Sequence, residues 1–200
     1  MGTINRKFLG NVVKPAKSES SVADKETKRS CMTKKYDLWI LGRHKLFCGN
    51  STDIESYEWL MGGLKADLVV TDIFYKMSND VVNQYLYESF YYIGNYTKDD
   101  VGMYVFYSNT DWEFCKMKPE LLVNLILASQ PAGIVLDPFG GNGTTMIACE
   151  TMGHTCRMIE QEERLCDAIV ERFIEKMESS ENVVLIRDGV TLKYAEVGMK

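Results

Sequence analysis

Residues 134–145 read Ile134-Val135-Leu136-Asp137-Pro138-Phe139-Gly140-Gly141-Asn142-Gly143-Thr144-Thr145, and this run constrains the fold more than any other. An apolar strand leads into an acidic residue, then a glycine-rich turn, then a segment suited to a helix. Such a strand delivers its loop to the carboxyl edge of a sheet, where open α/β folds bind ligands. Gly140, Gly141 and Gly143 lack a Cβ, so the backbone can turn tightly and approach a bound group closely. Thr144 and Thr145 open a helix whose first N–H groups point toward the loop. No Gly-Lys-Ser/Thr follows, so this is not a P-loop. Asp137 and Pro138 lie inside the turn, which departs from the usual dinucleotide fingerprint. The pattern fits a nucleotide-type cofactor loop.

The rest of the chain alternates between strand and helix signals. Order is expected to begin near Tyr36–Leu41. Lys45–Cys48 reads as a short strand, and Asp53–Met61 as a helix capped by Ser51 or Thr52 and stopped by Gly62-Gly63. Ala66–Val70 reads as a buried strand ending at Thr71-Asp72. Residues 79–93 carry apolar positions at helical spacing, and Gly102–Tyr107 reads as a strand. Pro119 opens a helix reaching about Ser129, where its missing N–H costs little. Strand 134–136, helix 144–151, strand 155–159 and helix 163–177 follow. Val183–Leu192 reads as a hairpin turning at Asp188-Gly189. This alternation predicts an α/β fold with a mostly parallel, doubly wound, Rossmann-like sheet.

A second acid strengthens the cofactor reading. Glu160 ends the strand after the glycine loop, 23 residues beyond Asp137. In a doubly wound sheet an acid placed there reaches a ribose hydroxyl. Read by itself, Glu160 is equally well a solvated carboxylate beside Gln161-Glu162-Glu163.

Two hundred residues suit one domain with a real core. No apolar run approaches a membrane span, and no secretory signal opens the chain. The six cysteines are scattered without a CxxC pair, which points to buried thiols in a reducing, cytoplasmic setting. His44 and His154 have no third ligand nearby in sequence, so no metal site is expected and structural or surface roles suffice. The aromatic residues between Tyr85 and Tyr107 read as core. Net charge is −5, but residues 1–45 hold 11 Lys/Arg against 4 Asp/Glu, whereas the remainder holds 12 against 24. Residues 1–35 therefore read as a flexible basic arm or linker, and 36–200 as the domain. The arm could lie along phosphates or remain solvated.

Asp-Pro-Phe-Gly-Gly-x-Gly-Thr-Thr resembles the S-adenosylmethionine loop of the DNA amino-methyltransferases, which act on adenine N6 or cytosine N4. His44-Lys45-Leu46-Phe47-Cys48-Gly49-Asn50-Ser51-Thr52-Asp53 is similar to the opening of their β-type, permuted members, particularly phage and prophage ones. In those, a Thr-Asp-Pro-Pro-Tyr segment follows about a helix and a strand later, and here Thr71-Asp72-Ile73-Phe74-Tyr75 stands at that place. Met117-Lys118-Pro119 matches the segment preceding the cofactor loop, and Arg157–Glu160 through Cys166-Asp167 matches the ribose-acid strand and its helix. The resemblance covers about residues 37–108 and 116–178. It implies that Asp137, Pro138, Phe139, Gly140, Gly141, Gly143 and Thr144 hold S-adenosylmethionine, with Glu160 on its ribose, Asn50 near its adenine, and Lys118 and Pro119 on the pocket's far side. It implies a catalytic segment Asp72-Ile73-Phe74-Tyr75. There the Asp oxygen and the next residue's carbonyl accept the two N–H groups of an exocyclic amine, and the aromatic stacks on an extruded base. Prolines would hold both acceptors still.

Three departures set this chain apart. Ile73 and Phe74 replace the two prolines. Asn50 stands where the resembling enzymes have Asp. Lys118 stands only 43 positions after Tyr75, where those enzymes carry further strands and most of the segment that reads the DNA target. The resemblance thus implies a sheet missing its last strands, weak or non-specific DNA contact, and an exposed edge open to self-association. Two readings stand side by side: a shortened DNA methyltransferase, and a non-catalytic remnant that binds S-adenosylmethionine or a protein partner. A methyltransferase for RNA or protein is the third.

Overall fold

The computed structural model describes residues 31–73, 79–107 and 119–197. Residues 1–30 of the arm, Phe74, Tyr75, Cys115 and Lys118 lie outside the described residues. β1 (Leu38–Leu41) and β2 (His44–Cys48) form a hairpin. α1 (Ile54–Met61), β3 (Ala66–Ile73), α2 (Asn79–Asn95), β4 (Thr97–Tyr107) and α3 (Pro119–Ala128) follow. Then come β5 (Ile134–Asp137), α4 (Thr144–Met152), β6 (Thr155–Glu160) and α5 (Glu163–Met177). β7 (Val183–Arg187), β8 (Val190–Lys193) and the short α6 (Tyr194–Val197) end the described chain.

The strands form one eight-stranded sheet in the order β4-β3-β5-β6-β2-β1-β7-β8. The first five are mutually parallel, and β1, β7 and β8 join by antiparallel pairing. Parallel strands covered on both faces must be apolar on both faces, and the central strands obey this. Val135 and Met158 face a cluster with Leu127, Met146, Cys149, Ile169 and Phe173 from α3, α4 and α5. Their neighbours Leu136 and Ile159 face the opposite layer, with Tyr57, Leu60 and Met61 of α1 and Ile93 of α2. The period-2 alternation of a strand accounts for the division. The expected doubly wound α/β sheet is therefore present.

Its winding fixes where a ligand can sit. From β3 the chain passes through α2 outward to β4, while from β5 it passes through α4 to β6 on the other side. The direction reverses between β3 and β5, and crevices open at the carboxyl ends of strands at such a point. Among the described residues β4 pairs only with β3, and its Met103 and Tyr104 are exposed.

Three local features differ from the sequence expectation. β4 begins at Thr97 rather than Gly102, because a register shift between Ala66 and Leu68 lets the polar stretch join the sheet and Lys98 pairs with Asp67. α1 is capped by Asp53, whose carboxylate accepts the Glu55 N–H at 3.1 Å, rather than by Ser51 or Thr52. Ser51 is buried, and its carbonyl accepts the Tyr57 hydroxyl at 2.9 Å. Residues 32–35, grouped by sequence with the arm, are hydrogen-bonded to α5 and β7 through Asp167, Glu163 and Arg187. The tail hairpin turns as expected, with Asp188 at φ 51° and Gly189 at φ 75°, the pair of left-handed positions that a tight two-residue turn requires. Among the described residues no helix is long and apolar enough to cross a membrane.

Candidate active site

Parallel pairing brings the ends of four strands to one edge. Cys48 of β2 is in register with Glu160 of β6, Asp137 of β5 with Met158 of β6, and Val69 of β3 with Leu136 of β5. Asn50, Glu160, Asp137 and Asp72 consequently all follow or end strands on the carboxyl edge. Spacing singles out Asp137 and Glu160, the family resemblance adds Asn50 and Asp72, and the sheet order is what gathers them.

The glycine loop is held by its neighbours. Gly140 donates its N–H to the Ile159 carbonyl at 2.8 Å, and a Cβ on it would lie 2.8 Å from the Met158 side chain. Gly143 occupies the left-handed region at φ 74° as the N-cap of α4, and a Cβ there would meet Ile169 at 2.9 Å. Two independent constraints, conformation and packing, exclude a side chain at Gly143. The glycines thus let the loop seat against β6 and α5. α4 starts with no side-chain cap and no acid in its first turn, so its positive end is not neutralised by the chain itself.

Glu160 is 8% exposed. Its Oε2 accepts the Gly141 N–H and its Oε1 the Glu162 N–H, each at 2.8 Å. Burial pushes its pKa above the ordinary glutamate value, against the opposing pull of these backbone N–H groups. The carboxylate therefore braces the glycine loop, a role absent from the sequence reading. A carboxylate offers about four acceptor positions, so capacity remains for a ribose hydroxyl. On the next strand Gly49 donates its N–H to the Glu160 carbonyl at 3.0 Å, and the Asn50 side chain accepts the Thr52 N–H at 3.0 Å.

Asp137 is 2% exposed. Its Oδ1 accepts the Thr71 hydroxyl at 2.7 Å and the Phe139 N–H at 3.2 Å. Thr71 is buried near the end of β3, so this bond ties the strand that carries Asp72 to the strand that leads into the glycine loop. The tie lies where the β3–β5 ladder has ended. Sequence reasoning passed over Thr71. The signal was a hydroxyl residue immediately before the candidate catalytic acid.

Nearby thiols do not compete for a chemical role. Cys166 donates toward the Glu160 carbonyl at 3.5 Å, and its contact with Cys48, together with burial, pushes its pKa far up, keeping it protonated. Both histidines are buried and lie away from this edge. His44 opens β2, accepts the Cys156 N–H on Nδ1 at 2.9 Å and meets Glu150 with Nε2 at 2.7 Å. Burial pushes its pKa below the ordinary value. Pro119 is the first residue of α3.

These residues fit an adenosine-type cofactor by the chemistry of the donor set. A buried acid stands at the end of β6, the glycine turn packs closely against β6 and α5, and a helix start accepts negative or polar groups.

Residues 104–171 match the sequence profile of a DNA methylase family of N6 and N4 type, which supports a relationship to the DNA amino-methyltransferases. No curated protein matches the chain. Among solved structures, the crystal structure of M1.HpyAVI is 16% identical, covering 64% of this chain and 98% of its own, with a TM-score of 0.49. The crystal structure of the M1.HpyAVI–SAM complex is also 16% identical, covering 64% of this chain and 99% of its own, with a TM-score of 0.42.

Proposed function

We propose that this chain is an internally shortened DNA amino-methyltransferase of the permuted β type, which binds S-adenosylmethionine and methylates adenine N6 or cytosine N4. The observation that carries the reading is the convergence of Asp72, Asp137 and Glu160 at a carboxyl-edge switch point, in the chain order of the permuted class. Asp137, Pro138, Phe139, Gly140, Gly141, Gly143 and Thr144 would hold the cofactor from the β5 side, Glu160 would bind its ribose, Asn50 its adenine, and Lys118 and Pro119 the remaining wall. The cofactor, when bound, supplies an electrophilic methyl group on a sulfonium.

The protein's own work is positioning. The exocyclic nitrogen of adenine or cytosine is conjugated into its ring and is a poor nucleophile. Asp72 and the Ile73 carbonyl would each accept one of its N–H groups, which holds the nitrogen lone pair away from the ring plane. Tyr75 would stack on the extruded base, with Phe74 beside it. Orientation of this kind accounts for large rate effects, and small misplacements cost about 100-fold.

A second reading, a remnant that binds the cofactor without turnover, is favoured by two features of the sequence. Ile73 and Phe74 lack the stiffness of the prolines they replace, and the short connection from Tyr75 to Lys118 leaves little chain for target recognition. Transfer of labelled methyl from S-adenosylmethionine to unmethylated DNA separates the readings. The methyltransferase reading expects label in DNA that disappears with Asp72→Ala. Folded, cofactor-binding protein that yields no label would establish the remnant.

A further inference from the structure

The segment before β1 is exposed, basic and aromatic, and it sits on the same edge as the cofactor loop. β1 runs antiparallel to β2, so its beginning lies at the carboxyl edge, with Leu38 opposite Phe47. One step further out, Tyr36 donates its N–H to the Cys48 carbonyl at 2.7 Å, and Cys48 is in register with Glu160.

The backbone of this turn is firmly held. Asp37 donates its N–H to the Lys34 carbonyl at 3.1 Å, and its carboxylate accepts the Lys34 N–H at 2.7 Å. That carboxylate is buried against Arg187, which donates to its two oxygens at 2.8 and 2.6 Å. Asp167 of α5 accepts the Met32 and Thr33 N–H groups at 2.9 Å each, and Trp39 donates to the Thr33 hydroxyl at 3.0 Å. Lys35 donates its N–H to Glu163 at 3.1 Å.

Against this fixed backbone, the side chains of Lys34, Lys35 and Tyr36 are exposed. Tyr36 is 57% exposed, so core packing does not account for a tyrosine there. It also occupies the left-handed region at φ 73°, where glycine would sit without strain and a bulky residue is an outlier. Lys35 Nζ lies 4.8 Å from the centre of its ring. The acids facing Lys35 are Glu163 and Asp53, and each carboxylate accepts a backbone N–H, from Lys35 and Glu55 respectively. In sequence, the preceding residues 1–30 carry seven Lys/Arg against three acids.

We infer that Lys34, Lys35 and Tyr36 form a rigid contact site for the nucleic-acid backbone, the lysines on phosphates and the tyrosine ring against a sugar or base. The inference rests on the DNA reading above and names where part of the missing recognition surface is replaced. β1 stands four strands from β3, about 19 Å at ~4.8 Å per strand. That is within the span of a duplex laid along the edge, whose charges recur every ~1.7 Å of axis.

The test is fluorescence anisotropy of a short unmethylated duplex with the full chain, in salt between about 50 and 200 mM. Wild type is compared with the double variant Lys34→Ala, Lys35→Ala and with Tyr36→Gly. Thermal stabilisation by S-adenosylhomocysteine serves as the control for fold and cofactor pocket. The double variant is expected to lower the slope of log affinity against log salt by about 1.8, at ~0.9 per lost phosphate contact. Tyr36→Gly is expected to weaken binding roughly 10-fold, in the range of one lost stacking contact, although it relieves backbone strain. Unchanged slope and affinity in both variants, with wild-type binding intact, would overturn the contact site and leave the DNA reading standing. A wild-type chain that binds cofactor but no duplex would overturn both.

Discussion

The two halves of the carboxyl edge are held by different means. On the side of β5, β6 and β2, backbone is locked to backbone and to one buried acid. Gly140 bonds to Ile159, Gly141 to the Glu160 side chain, and Gly49 to the Glu160 carbonyl, while Ile169 packs where Gly143 has no side chain. On the side of β3, the strand end pairs with β4 as far as Ile73 and Tyr107, and beyond the β3–β5 ladder the Thr71 hydroxyl ties it across to the Asp137 side chain. The sequence just beyond it has Ile73 and Phe74 where the resembling enzymes place two prolines. A loop fixed by close packing against β6 and α5 tolerates little change. A loop fixed by its own ring-constrained residues loses its stiffness when those residues are replaced. The difference teaches why the half of the edge proposed to hold the cofactor can persist while the half proposed to hold the base departs from the pattern.

Gly143→Val should break this contrast most strongly. Valine at φ 74° is strained, and its Cβ would overlap Ile169. Urea denaturation should show about 3 kcal/mol less stability, the sum expected of left-handed strain and overpacking. Stabilisation by cofactor should vanish with it. The opposite half is sharpened by gain rather than loss. Ile73→Pro with Phe74→Pro should raise single-turnover methyl transfer by up to about 100-fold through restored positioning, with cofactor stabilisation unchanged. A flat rate would place the defect in the shortened recognition segment instead.

Thr71→Val asks whether the halves communicate. Removing the donor to buried Asp137 should cost about 1–3 kcal/mol and weaken both cofactor binding and transfer, while Thr71→Ser should restore both. Loss of transfer alone would confine Thr71 to the β3 side.

The smallest expected effect is a pH dependence carried by Glu160. Its pKa in the folded chain is raised by burial, so the folded state binds a proton more readily than the unfolded state. Its contribution to stability is full below the ordinary glutamate value near ~4.3 and is lost as pH rises through the folded value. The unfolding free energy of wild type minus that of Glu160→Gln should therefore fall as pH rises across that window. A difference that rises with pH would mean that the N–H groups of Gly141 and Glu162 outweigh burial.

Legibility in the sequence followed the range of the interactions. Gly141 and Gly143 stood out because their left-handed backbone admits little else. The Asp188-Gly189 turn was visible for the same reason. Helix α5 runs over the expected residues, and its buried stripe is Cys166, Ile169, Val170 and Phe173. The start of β4 was hidden because Lys98-Asp99-Asp100 looks like a loop, and only the Lys98–Asp67 pair and the register shift reveal a strand. The hydrogen bonds of the strap from Met32 to Lys35 left no mark in the sequence. Its partners Asp167 and Arg187 lie more than a hundred residues away in sequence, and no local pattern marks such bonds. Thr71 and Asp137 are likewise made neighbours by the sheet order.

Isothermal titration of S-adenosylhomocysteine into wild type and Glu160→Ala tests the central claim most directly. The account predicts saturable binding at one site per chain for wild type and loss of that binding in the variant, with the variant still folded by circular dichroism. Absence of binding to folded wild type, or equal binding to the variant, would contradict the placement of the cofactor on this edge.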